Sequence, residues 1–110
     1  MYLYVELWNA RPAWHALPLR EREAFFATVG QQIEAQLAAR GELVGVAVND
    51  AATPRRADYQ FLAVWKLAEA RVPDFEATWE RIGWHAYFEQ ANVRGALLAP
   101  DTFIGQHIAL

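Results

Sequence analysis

Tyr59-Gln60-Phe61-Leu62-Ala63-Val64-Trp65-Lys66 decides the fold, because it is apolar on both of its alternating faces. Successive side chains of a strand point to opposite sides of the sheet. Tyr59, Phe61 and Trp65 fall on one side, Leu62 and Val64 on the other. Such a strand belongs in the middle of a sheet, with cover above and below. Tyr2–Trp8 has the same character. Tyr2, Tyr4, Glu6 and Trp8 share one face, and Leu3, Val5 and Leu7 share the other. The two segments are therefore expected to be the paired central strands.

The remaining elements are read outward from that pair. Asn9-Ala10-Arg11-Pro12 ends the first strand, since proline removes a donor and holds Arg11 extended. Leu19 to Ala39 is helical by its spacing of Phe25, Phe26, Val29, Ile33 and Leu37, and Gly41 is the expected stop. Leu43–Asn49 is a second strand, glycine- and valine-rich, expected at an edge. The turn-rich Asp50–Arg56 loop returns antiparallel into the Tyr59 strand. Glu69 to Ile82 is a second helix with Val72, Phe75, Trp79 and Ile82 inward, broken by Gly83. Trp84–Glu89 fits one more helical turn and Gln90–Leu98 a fourth strand. In the tail, Phe103, Ile104, His107 and Ile108 fit a short helix about as well as a strand. The order is β-α-β-β-α-β, an α+β ferredoxin-like sandwich, in one domain spanning residues 1–110.

That architecture leaves a face uncovered. Four strands span roughly 19 Å, and two helices, each about 10 Å across, shield one side of such a sheet. Tyr, Phe and Trp side chains are expected on the unshielded side, more apolar surface than a soluble monomer normally shows. A second copy of the sheet, an apolar ligand or stacked nucleic-acid bases would each cover it. Nucleic acid fits worst. The net charge is -3, and Ala57-Asp58-Tyr59-Gln60-Phe61 lacks the basic residue and glycine of the RNA-binding pattern. The absence of cysteine excludes disulfide and thiolate chemistry. The N-terminus shows neither a basic region nor a long apolar run, so a cytoplasmic protein without a membrane partner is expected.

Several stretches resemble a known family. They are Glu6-Leu7-Trp8-Asn9-Ala10 with Pro12-Ala13-Trp14, Val48-Asn49-Asp50 with Thr53-Pro54, Tyr59, and Val64-Trp65. They continue with Gly83-Trp84, Tyr87 to Gly95 and His107-Ile108-Ala109-Leu110. On these residues the chain resembles the dimeric α/β barrel superfamily, which is ferredoxin-like, and more closely an uncharacterised bacterial family of that type. The resemblance implies two sheets facing each other across a twofold axis, with a pocket between sheet and helices in each subunit. Superfamily members include cofactor-independent monooxygenases, haem-degrading oxygenases, isomerases and lactonases. The haem-degrading branch uses an Asn on strand one, a Trp on strand three and a His on helix two. Asn9 and Trp65 match, whereas His85 lies beyond the second helix.

His15, His85 and Glu6 are the candidate catalytic residues. A histidine titrates near neutrality and suits general acid–base work. The plainer reading of His15 is a loop residue, that of His85 a surface residue beside core aromatics, and that of His107 a buried tail contact. Glu6 is a carboxylate mid-strand between Tyr4 and Trp8, costly to bury unless paired. Burial would raise its pKa toward that of a general base, and a structural bridge to an arginine of either subunit is the alternative. Asn9, Trp14, Tyr59, Trp65, Trp84, Tyr87 and Asn92 are the candidate ligand contacts; for the asparagines, strand-end hydrogen bonding is the ordinary role. The histidines, at 15, 85 and 107, have no metal-ligand spacing, and no metal or cofactor is expected. The leading expectation is a homodimer that binds a small apolar or aromatic molecule, with cofactor-independent monooxygenase or isomerase chemistry. The alternatives are a non-catalytic dimeric binding or assembly module and a haem-binding, oxygenase-like protein.

Overall fold

In the computed structural model, which describes residues 1–110, strand β1 (Tyr2–Ala10) lies between β3 (Phe61–Leu67) and β4 (Phe88–Ala96). Strand β2 (Glu42–Val48) flanks β3, so the antiparallel sheet runs β2-β3-β1-β4. Between β1 and β2 come a four-residue helix α1 (Pro12–His15) and the long α2 (Leu19–Ala38). A 3-10 turn (Glu69–Arg71) leads into α3 (Val72–Arg81), another (Trp84–Ala86) leads into β4, and α4 (Pro100–Ile108) ends the chain. The fold is α+β, with the two central strands as expected and β2 at an edge.

The register fixes what each face carries. Tyr4 lies opposite Trp65, and Glu6 opposite Ala63. These four are buried beneath the helices, with Val29, Leu67, Val72, Phe75, Trp79, Trp84 and Phe88 completing the core. Leu3, Val5 and Leu7 point to the opposite face, beside Leu62, Val64, Ala91, Val93 and Gly95. The expected placement of aromatics is thereby corrected. The helices cover the aromatic face, and the open face is aliphatic. Alternation tells which residues share a side but not which side the helices take. Rings with 150–250 Å² each to bury claim the covered one. Tyr59 is also corrected: it precedes β3 as a half-buried loop residue and lies outside the ladder.

The inward stripe of α2 packs on the core at Phe25, Val29 and Ile33 and is corrected at its flanks, where Phe26 and Leu37 stay exposed and Gln36 is buried. Gln36 Nε2 donates to Thr78 Oγ1 of α3 (3.3 Å), a polar tie that apolar periodicity does not foresee. Gly41 ends α2 by close approach. The left-handed residue is Arg40 (φ 68°), while the Gly41 amide donates to the Gln36 carbonyl at 2.8 Å. A Cβ at Gly41 would lie 2.9 Å from that oxygen.

The tail is a helix, and it is exposed along its length. His107 is exposed too, its Nδ1 2.9 Å from the Phe103 carbonyl, so the expectation of a buried tail histidine is corrected. The molecule measures 52 × 35 × 18 Å with a radius of gyration of 16.1 Å. A compact chain of this length would have about 13 Å. Its accessible surface is 7494 Å², against about 6,200 Å² for a typical monomer of its mass. No helix is long and apolar enough to cross a membrane.

Candidate functional site

Two cavities flank Glu6. The larger, about 570 Å³, lies between α2 and the β2–β3 side of the sheet. Trp8, Phe61, Ala63 and Trp65 form its floor, Phe26, Val29, Gly30 and Ile33 of α2 its roof, and Trp79 and Trp84 its inner end. Phe26, Val46 and Val48 line it while being largely exposed, which puts its mouth at the β2 edge. Of the fifteen lining residues only Glu6 and Gly30 are not hydrophobic. Glu6 is thus the one ionisable group of an apolar chamber. Gly30 keeps the roof high, since nothing lies within 4 Å of the position a Cβ would take there.

The smaller cavity, about 280 Å³, lies under α3 on the β4 side, where Gln90, Asn92 and Arg94 of β4 face the helices. Tyr4, Glu6, Glu76, Glu80, His85, Gln90 and Asn92 line it. Glu76 Oε2 accepts from the Tyr4 hydroxyl (2.7 Å), and Glu76 Oε1 from Arg94 (2.8 Å). His85 Nε2 is 3.6 Å from Glu80. Burial, with Glu76 beside it, pushes the Tyr4 hydroxyl well above the ordinary phenol range.

Glu6 separates the two and is 7% exposed. Its Oε1 accepts from the Trp65 indole Nε1 and its Oε2 from Gln90 Nε2, both at 2.9 Å. Gln90 is itself fixed, accepting from Trp84 Nε1 (2.6 Å) and donating to Asn92 Oδ1 (2.8 Å). Burial raises the Glu6 pKa to about 7, outweighing two donors that act to lower it. No arginine of its own chain bridges it; Trp65 and Gln90 form a neutral donor set instead.

The predicted residues divide accordingly. Glu6, Trp65 and Trp84 meet at the apolar cavity; Glu6, His85 and Asn92 meet at the polar one. His15 is exposed and lines neither. Asn9 is spent on the strand end, with Nδ2 donating to the Asp58 carbonyl and Oδ1 accepting from the Gln60 amide. Trp14 and Tyr87 pack edge to face in a structural aromatic cluster with Phe25, their ring centroids 5.0–5.8 Å apart. Tyr59 lines neither cavity. Asn9 and Trp65, which match the haem-degrading pattern, and His85, the nearest histidine, share no cavity, and they do not fit a haem. Gly30, Leu43, Val46 and Val48 were missed; a glycine in mid-helix, costing about 1 kcal/mol, was the one available signal.

The chain belongs to a family of unknown function, DUF6616, whose model matches residues 1–110. A comparison with curated proteins finds no match.

Proposed function

We propose that the chain is one subunit of a ferredoxin-like, dimeric α/β barrel that binds a small apolar molecule in the α2 cavity, with Glu6 as its general base. The observation that carries this reading is a single carboxyl, its pKa raised to about 7, inside an otherwise hydrophobic chamber. A base works best when its pKa lies near the working pH. The ionised Glu6 would take a proton from an acidic C–H or O–H of the ligand, leaving the electron pair on the ligand as an enolate. Return of that proton to a different carbon gives an isomer with no oxidant consumed. The same base would serve a cofactor-independent monooxygenase in which molecular oxygen is the second substrate. A module that only assembles needs no such chamber, so the cavity favours a ligand-binding protein, and the carboxyl inside it favours catalysis.

Three features support dimerisation through the open face. Leu3, Val5, Leu7, Leu62 and Val64 form its centre, and Gly45, Ala47, Ala91 and Gly95 keep its margins flat. The surface excess over a typical monomer exceeds the about 800 Å² that each partner of a standard interface buries. Finally, Phe103 of α4 borders a groove with Leu3, Val5 and Val93, ready to grip a second copy.

Titration with the neutral fluorophore N-phenyl-1-naphthylamine tests the cavity. Saturable binding at one site per chain is expected in the wild type and is lost in Gly30→Leu, which fills the roof. Absence of binding, or equal binding by both proteins, defeats the reading. Light scattering tests the assembly: a particle of twice the 12.5 kDa chain mass is expected, and Val5→Lys should halve it.

A further inference from the structure

We infer that the molecule bound in the α2 cavity is uncharged and offers a hydrogen-bond donor, a hydroxyl or an N–H, to Glu6, and that carboxylates are excluded. The inference rests on the proposed cavity and deepens it by naming the ligand's chemistry.

An inventory of polar groups carries the argument. An ionised carboxylate has about four lone-pair sites. Two on Glu6 are taken by Trp65 and Gln90, which leaves about two to accept from a ligand. Donors are nearly absent. No Lys, Arg, His, Ser, Thr, Tyr, Asn or Gln side chain lines the chamber. Among its indoles, Trp65 Nε1 is committed to Glu6, Trp84 Nε1 to Gln90, and Trp79 Nε1 is sealed off. Only Trp8 keeps an indole N–H that is neither bonded nor sealed.

A ligand carboxylate would therefore enter an apolar chamber with one donor to meet it and a like charge beside it, which buried ions do not tolerate. An ammonium ligand matches the Glu6 charge but brings three donors to about two free lone pairs, and it loses its hydration besides. A neutral hydroxyl or N–H group satisfies Glu6 without a second buried charge. The aromatic floor of Trp8, Phe61 and Trp65 favours a flat ring system. The cavity volume lies within the range usual for small-molecule sites.

Tryptophan quenching by four naphthalenes of one shape tests the inference at pH 8. 2-Naphthol should bind at least about tenfold more tightly than 2-methoxynaphthalene, as expected for a hydrogen bond to a charged acceptor. 2-Naphthoate and naphthalen-2-ylmethanamine should bind more weakly than either. The naphthol advantage should vanish in Glu6→Leu. Should that variant fail to fold, the wild-type ratio of naphthol to methoxynaphthalene affinity gives the same information. It should rise from pH 5.5 to pH 8 as Glu6 ionises. Tyr4, Glu76, Glu80 and His85 line the neighbouring cavity, and Arg94 pairs with Glu76. His85→Gln must leave the rise intact, which assigns the rise to Glu6 and not to the neighbouring cavity. Equal binding of naphthol and methoxynaphthalene, or tightest binding of the acid or the amine, overturns the donor inference while the cavity stands. Failure of all four to bind removes both.

Discussion

Helices α2 and α3 lie on the same face of the same sheet and treat it differently. The ten residues of α3 bury Val72, Phe75, Thr78 and Trp79, whereas the twenty of α2 bury only Val29 and Gln36. The shorter helix is bolted down, and the longer one is held by Phe25 and Phe26 against Trp14 and Trp84, by Val29 and by Gln36, and stands off over the β2–β3 side. The standoff is the apolar cavity. A helix that gives up that much burial over the floor of a chamber is serving as a wall, and stability is concentrated where α3 meets Tyr4 and Trp65. Phe75, completely buried, is the sharpest probe of this contrast. Phe75→Ala is expected to cost about 3–5 kcal/mol through the cavity it leaves, measured by urea denaturation. Phe26→Ala, on the half-exposed roof of the chamber, should cost roughly 1 kcal/mol. Equal losses would erase the distinction between the two helices.

The second contrast lies across Glu6, with an apolar chamber on one side and a polar cavity on the other. Its carboxyl pKa is raised to about 7 from 4.5, so the folded state holds this proton more tightly than the unfolded chain. Stability from this group is fully present below pH 4.5 and is lost as the pH climbs through 7. The loss amounts to roughly 3 kcal/mol when the shift is converted at about 1.4 kcal/mol per pH unit. Glu6→Gln removes the titration. Its stability relative to wild type should therefore improve between pH 5 and pH 8.5, whatever constant offset the new amide introduces beside Gln90. Parallel pH profiles of the two proteins would place Glu6 in water. Trp65→Phe is a smaller perturbation of the same group. It withdraws the donor to Oε1 and keeps most of the ring, so about 1–2 kcal/mol of stability is expected to go. The Glu6 titration, followed by carboxyl carbon NMR, should move upward. A downward movement would mean that the indole does not serve the charged form.

Much of the framework was legible in the sequence, and the reasons are local. Alternation in Tyr2–Trp8 and Tyr59–Lys66 marks both central strands, and proline and glycine punctuate the helices. Glu6 could be singled out because a carboxylate among mid-strand aromatics has no inexpensive explanation. What escaped depends on three dimensions. The side on which the helices settle is a global choice, so the aromatic face was taken for the open one. The donors to Glu6 are 59 and 84 residues away in the chain, and no spacing rule connects Trp65 or Gln90 with it. His15 and His85 drew notice by residue type, yet type says nothing about which of them reaches a cavity. The cavity itself is an absence of packing, and periodicity records only what packs.

Gly30 gives the finest test of the wall. In a helix interior glycine costs about 1 kcal/mol relative to alanine, through the backbone freedom it loses on folding. That cost normally persists only where a side chain would collide with something, and at Gly30 nothing would be struck. Gly30→Ala should therefore stabilise the protein by about 0.5–1 kcal/mol. A single methyl group should also narrow the roof enough to weaken the binding of N-phenyl-1-naphthylamine measurably, without abolishing it as Gly30→Leu does. The paired outcome separates two explanations of the glycine. Stability gained together with affinity lost means that the residue is retained for the room it leaves above Trp65 and Glu6. Stability lost in a position with open space around it would mean that α2 sits closer to the sheet than the 570 Å³ chamber requires.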